Sequence, residues 1–243
     1  MNIKPILIVA GEPYSVFSEI LSKSIKKYSP KRPLVIIGSS KLLEKQIKFL
    51  KYKISFNIIN KNFEIKNLKK KKLNLNNLDF KFKKNFDIIS NISFSYNYEC
   101  FKIACNLMKT KKFIGLINGP ISKKHFLKNK FLGITEFLAK KTKTNNFAML
   151  IFNKKLAVSP LTTHLSLKDV SKNISKKKII NQVKLIKEFY KKNLKKDPKI
   201  AITGVNPHCE SNSAFNEENK IIKPALKYLK KRYKKINGPY PTD

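Results

Sequence analysis

Arginine is almost missing from this chain. Of its 53 basic residues all but Arg32 and Arg232 are lysine, set against 15 acids for a formal net charge of +38. A charge of that size suggests a nucleic-acid surface. Reading bases and phosphates, however, favours the planar guanidinium fork, and the lysines run along the whole chain. Lys, Asn, Ile and Phe are all abundant and share A/T-rich codons. Nucleotide bias therefore explains the excess better than a nucleic-acid surface does. The charge still attracts anionic substrates and cofactors. Cysteine is also scarce: Cys100, Cys105 and Cys209 are odd in number and lack metal-type spacing. That argues against a disulfide framework, and Cys100 and Cys105 are expected to pack on or near a helix. Long apolar runs are absent. "ILIVA" and "FAMLIF" are far too short to cross a bilayer, and "MNIKPILIVAGEP" has neither the apolar length nor the cleavage site of a signal peptide. The chain reads as cytoplasmic. With only 7 glycines, it has no G-x-G-x-x-G after the first strand, no P-loop and no G-x-S-x-G.

What is present is enough for a core. The 243 residues are 42% hydrophobic and 11% aromatic, which suits one large or two small α/β domains and excludes global disorder. "ILIVA" reads as a buried strand, followed by the turn Gly11-Glu12-Pro13 and a helix with Val16, Phe17, Ile20, Leu21 and Ile25 on one face. "PLVIIGSS" is a second strand, "KLLEKQIKFLKY" a helix and "ISFNII" a third strand. Residues 60–86, rich in Lys and Asn, read as a solvated excursion with one or two exposed strands. Further helices are predicted in "YNYECFKIACNLMKT", after Pro120, in "TEFLAKKT", "SLKDVSKNI", "KKKIINQVKLIKEFYKKNL" and "NEENKIIKPALKYLKKRYKK". "FIGLING" and "KIAITGVNPH" contain strands, and "FAMLIF" and "LAVSPLTT" form a hairpin. Asn237-Gly238-Pro239 is a turn signal. There is no internal repeat. Alternation of strand and helix gives an α/β class with mostly parallel strands, whose chemistry belongs in loops beyond the strands' carboxyl ends.

Histidine is rare enough for its placement to inform. His125 falls in a predicted helix, where packing explains it. His164 and His208 each follow an apolar strand and sit in a short polar loop. Two imidazoles at strand ends can converge on one cation, with Asp243, Glu210 or water as a further ligand.

The motifs "GEP", "NGPISK", "GITEF", "TTHLSLKDV", "GVNPHCE", "NEENKIIKPAL" and "INGPYPTD" occur in an order and at spacings that resemble the 4-hydroxythreonine-4-phosphate dehydrogenase family of pyridoxine biosynthesis. The resemblance runs from Gly11 to Asp243. It implies a two-domain isocitrate/isopropylmalate dehydrogenase-like fold, mostly parallel sheets with helices on both faces. The expected domains are 1–130 and 131–243, the first completed in that family by a C-terminal part absent here. It further implies a homodimer with an active site borrowing residues from the partner, NAD, and a divalent metal cation (Zn, Mg or Co). By matching motifs, His164 and His208 are expected metal ligands, Thr135 a substrate contact, and Asp243 a catalytic carboxylate near the reacting hydroxyl.

The departures matter. The family's G-H-T-E reads Gly133-Ile134-Thr135-Glu136 here, its glycine-rich continuation of "GEP" reads "YSVFS", and its A-G-E-G-G after "NPH" reads "CESNS". A third metal histidine, in a Y-H-D-Q motif, follows the position of Asp243 in that family. The chain therefore reads as C-terminally truncated. Alternatives are a dehydrogenase of a related phosphorylated sugar acid, threonate or erythronate 4-phosphate, and an inactive truncated homologue.

Overall fold

The structure, a computed structural model, describes residues 3–60, 62–128, 130–210 and 215–242. By its contacts the chain divides into two compact units, Met1–Phe131 and Leu132–Asp243.

The first unit begins with β1 (Ile6–Val9), α1 (Phe17–Lys27), β2 (Leu34–Gly38), α2 (Ser40–Phe49), β3 (Phe56–Ile59) and β4 (Leu73–Asn77). Helix α3 (Phe94–Lys109) and β5 (Gly115–Asn118) follow. The strands form one sheet in the order β3-β4-β2-β1-β5, every pairing parallel. Unbroken apolar runs suit this arrangement, because a parallel sheet is covered on both faces. Leu7, Val9, Val35, Ile36 and Ile37 are fully buried, each worth roughly 1.5–3 kcal/mol of transfer free energy. Ile8, Ile36 and Leu75 pack with Phe17, Leu21 and Leu43 of α1 and α2. Alternate residues point the other way, and α3 meets β1, β2 and β5.

Two expectations for this unit need correction. Val16, just before α1, and Ile20 within it are exposed, while Ser18 and Ser22 are buried with Phe17 and Leu21. Two small hydroxyl residues face inward, and the Ser22 hydroxyl bonds back to the Ser18 carbonyl (2.7 Å). More importantly, the Lys/Asn-rich excursion holds a buried strand, β4, between β3 and β2. Of its asparagines Asn74 is satisfied internally, whereas the buried Asn76 Oδ1 has no hydrogen-bond partner among the described residues. Asn74 Nδ2 donates to the Leu34 carbonyl (3.0 Å) and the Lys69 carbonyl (3.0 Å), and Asn74 Oδ1 accepts from Asn57 Nδ2 (2.9 Å) and the Lys69 amide (2.9 Å).

The second unit contains α4 (Ile134–Lys141), α5 (Leu167–Val170), α6 (Lys176–Phe189), β6 (Ile200–Thr203), α7 (Lys223–Lys230) and β7 (Ile236–Tyr240). The segments expected to make a hairpin meet in one antiparallel bridge, Ile151 with Val158, outside any named strand. Strands β6 and β7 pair in parallel. The turn signal at Asn237-Gly238-Pro239 thus lies inside a strand. Gly238 has φ +135°, and a Cβ there would sit 2.3 Å from the Ile202 carbonyl oxygen. Only glycine permits that conformation and approach. The core gathers Ile179, Ile180, Val183, Ile222, Ala225, Leu226, Leu229 and Ile236. No described helix is long and apolar enough to cross a membrane.

Candidate active site

In the first unit the loops after β1 and β5 interlock. Gly11 has φ +79°, and a Cβ on it would lie 2.3 Å from the Pro120 carbonyl oxygen; one on Gly119 would lie 2.2 Å from that of Ala10. The Glu12 amide donates to Pro120 (2.8 Å) and the Gly119 amide to Val9 (2.7 Å). Glu12 is thereby turned inward, 2% exposed, with Asn97 Nδ2 donating to its carboxylate (2.9 Å). Burial raises its pKa, partly offset by hydrogen bonds from Ser93 and Asn97 and by the charge of His125. His125 lies in a π-helical turn, its Nδ1 3.1 Å from Asn91 Oδ1, a packing role as its sequence context implied. Cys100 and Cys105 are buried on α3. Burial is the main cause that pushes the Cys100 thiol up to about 12, so it carries no thiolate at neutral pH.

The second unit holds the expected site residues that are described. Gly133 caps α4 and is buried in extended backbone. The position of a Cβ on Gly133 lies 3.1 Å from Glu136 Oε2 and 3.6 Å from His164 Nε2. Thr163 Oγ1 donates to Glu136 Oε1 (3.4 Å). "GITE" and "TTH", distant in sequence, therefore meet around one glycine, with Thr135 half-buried in the first turn of α4. Glu136 Oε2 is buried and has no hydrogen-bond partner among the described residues. His164 is exposed, with φ 57°.

His208 lies past the end of β6 in a single 3-10 turn, Pro207–Cys209. It is exposed and left-handed (φ 54°), as is Cys209 (φ 60°) in backbone terms. It lines a polar hollow of about 420 Å³ with Cys209, Glu210, Asn216, Asn219, Lys223 and Pro239; His164 is not in its wall. The loop is held from below by two acids. Glu218 accepts from the amides of Val205 (2.7 Å) and Asn206 (2.9 Å) and from Asn206 Nδ2 (2.9 Å). Glu217 accepts from Asn206 Nδ2 (3.1 Å) and from the Ser171 hydroxyl. Burial pushes Glu218 up, but the donors of Asn206 and Val205 outweigh it and its pKa ends below the usual value. The Ser171 hydroxyl is the largest cause that lowers Glu217. These acids were not assigned a role from sequence. The available signal was two adjacent glutamates opening a lysine-rich helix.

Two imidazoles, with an unpartnered carboxylate oxygen near one of them, are donors suited to a borderline divalent ion. No three His, Cys, Asp or Glu side chains among the described residues form a metal-holding group. Asp243, the expected catalytic carboxylate, lies outside the described residues.

Comparison with known proteins follows the same residues. The family described as "Pyridoxal phosphate biosynthetic protein PdxA" matches residues 30–243. A 4-hydroxythreonine-4-phosphate dehydrogenase of a Sulfurihydrogenibium species is 37% identical over 97% of this chain and 74% of its own length. That of Aquifex aeolicus is 32% identical over 99% of this chain and 75% of its own. A D-threonate 4-phosphate dehydrogenase of Pectobacterium atrosepticum is 30% identical over 60% of this chain and 46% of its own. In fold, the chain is similar to the crystal structure of 4-hydroxythreonine-4-phosphate dehydrogenase from Klebsiella pneumoniae. The TM-score is 0.81 at 23% identity, over 98% of this chain and 75% of that one. The α/β class and the parallel sheets agree with it, and the chain belongs to the PdxA family of pyridoxal phosphate biosynthetic proteins.

Proposed function

We propose that the chain oxidises the secondary hydroxyl of 4-phosphooxy-L-threonine with NAD. The 3-oxo acid formed loses CO2 to give 3-amino-2-oxopropyl phosphate, a step toward pyridoxal 5'-phosphate. The observation that carries the reading is the meeting of "GITE" and "TTH" around Gly133, with Thr163 and His164 set against Glu136. When bound, NAD supplies a hydride acceptor and a divalent cation a Lewis acid at the substrate oxygen. His164 and His208 are the imidazoles that would hold the cation. Thr135 contacts the substrate. The carboxylate of Asp243 takes the hydroxyl proton, directly or through a water it orients. The net charge of +38 draws the phosphorylated substrate in. We include a homodimer in the proposal. Ile151, Phe152, Leu156 and Val158, all exposed in the second unit, offer apolar surface that association would cover. Light scattering of the purified chain at monomer mass would rule the dimer out.

Ile134 favours keeping a second substrate in view. It stands where the resembling family has a histidine, and its side chain can neither donate nor accept a hydrogen bond. D-threonate 4-phosphate lacks the amino group of phosphooxythreonine and is the alternative. NADH formation is measured with both substrates, with and without a chelator. Preferential, chelator-sensitive turnover of phosphooxythreonine is expected. Equal or better turnover of the threonate would replace the first reading by the second. His164→Ala is expected to abolish the metal-dependent rate, and unchanged turnover would remove His164 from the ligand set.

A further inference from the structure

The Glu217–Glu218 pair is buried, at 8% and 0% exposure, in a chain with few acids. Its hydrogen-bond partners are amides and a hydroxyl rather than lysines. Those partners belong to two segments. Val205 and Asn206 lead directly into Pro207-His208. Ser171 follows α5, the short helix that the His164 loop enters. Asn206 Nδ2 is shared between both carboxylates, at 3.1 Å from Glu217 Oε2 and 2.9 Å from Glu218 Oε2.

The His208 loop needs such support. Two successive non-glycine residues, His208 and Cys209, are left-handed, a conformation that persists only where its surroundings enforce it. Local bonds supply part of the enforcement: the Cys209 amide donates to Asn206 (3.1 Å) and the Glu210 amide to Pro207 (3.1 Å). Those bonds tighten the turn without anchoring it to the rest of the unit. Glu218 anchors it, with three bonds into residues 205–206. The Cβ position of Gly204 is 3.1 Å from Glu218 Oε1 and 2.6 Å from Cys209 Sγ, so the missing side chain lets the acid and the turn close on each other.

We infer that Glu217 and Glu218 are positioning residues: Glu218 holds His208 in its ligand-ready backbone conformation, and Glu217 couples that loop through Ser171 to the segment carrying His164. The inference rests on the reading of His164 and His208 as metal ligands. Partners that act through a ligand's support change metal affinity by about ten- to a hundred-fold when removed, and this is the size expected here.

The test uses the full chain titrated with Co²⁺, read by its d–d absorption, and amide hydrogen exchange of the metal-free chain. Glu218→Gln keeps the volume and replaces an acceptor by an amide group facing three donors. It is expected to weaken Co²⁺ binding by about ten-fold or more, to alter the absorption band, and to accelerate exchange at Val205 and Asn206. Ser171→Ala, which removes only the Glu217 link, shifts affinity the same way by less. Leu229→Val, at a fully buried core position of the same unit, is the stability control. It lowers the melting temperature and leaves cobalt affinity unchanged. Wild-type affinity and band shape in Glu218→Gln would overturn the inference, as would an equal affinity loss in the Leu229 control. A wild-type chain that binds no cobalt overturns the ligand reading itself, and the positioning roles with it.

Discussion

The two units are held together by different means. In the first, three strands at the sheet centre are sealed: Leu7, Val9, Val35, Ile36, Ile37 and Leu75 are all at 0% exposure. In the second, β6 is only half-buried or exposed along its length, and the loop beyond it is held by carboxylates accepting from amides. Apolar burial is non-directional and tolerates small shifts. Hydrogen bonds to a charged acceptor are directional and specify a conformation. The unit with less apolar cover at its strands is the one that carries the histidine loops, where geometry matters more than bulk stability.

A core truncation, two glycine substitutions and a pH series with two variants test that contrast. The largest expected effect is Ile36→Ala, at a fully buried position between β1 and β4. It should cost about 2–5 kcal/mol in denaturant unfolding followed by a probe in the first unit. A loss well below that range would mean that the sealed strands are not what holds this unit together. Next come two glycines. Gly119→Ala drives a Cβ onto the Ala10 carbonyl, and Gly238→Ala drives one onto the Ile202 carbonyl from a positive-φ backbone. Each is expected to destabilise its own unit by about 1–3 kcal/mol, in the overpacking range, with Gly238→Ala the worse because φ is also unfavourable. The reverse order would indicate that β7 shifts easily and β1 does not.

The smallest effect is a difference of sign with pH. The lowered pKa values of Glu217 and Glu218 mean that the folded second unit binds protons less readily than its unfolded chain. Their contribution is complete above the ordinary glutamate value of about 4.3 and is lost as pH falls through their lower folded values. Glu12 behaves oppositely. Its raised pKa makes the folded first unit the better proton binder. That unit therefore weakens as pH rises from the ordinary value through the raised one. Self-repulsion of the many lysines affects both units but cancels when each is compared with its own variant. Hydrogen exchange against pH should show Glu12→Gln flattening the first unit's dependence and Glu218→Gln the second's. Parallel profiles in both units would contradict the assignment.

Much of this was readable from residue order. β1 and β2 announced themselves as unbroken Ile, Leu and Val runs, and His164 and His208 as rare residues in polar loops. Strands are expected in residues 60–86, but the burial of β4 escapes the sequence because Leu73-Asn74-Leu75-Asn76-Asn77 looks like solvated chain until the partners of Asn74 are known. Those partners are carbonyls and amides from residues near and far, which no local pattern encodes. β7 was missed for a related reason. Asn237-Gly238-Pro239 ordinarily turns a chain, and only the close approach of Ile202 explains a glycine in mid-strand. Glu136, Glu217 and Glu218 are ordinary helix-start acids by composition; their roles exist only once Thr163, Ser171 and Asn206 fold against them.

The asparagines of β4 have a consequence for how such a composition can drift. Substituting Asn for an apolar residue inside a sheet normally strands an amide without partners. Asn74 escapes that penalty because it satisfies four groups at once. A slip of β4 by one residue would break the bonds to Asn57 and Leu34 on its two neighbouring strands while turning Leu73 and Leu75 away from α1 and α2. The residue that makes the strand look unfit for a core therefore works as a register key, and it marks one of the few core positions where a genome biased toward asparagine codons can be accommodated without loosening the fold.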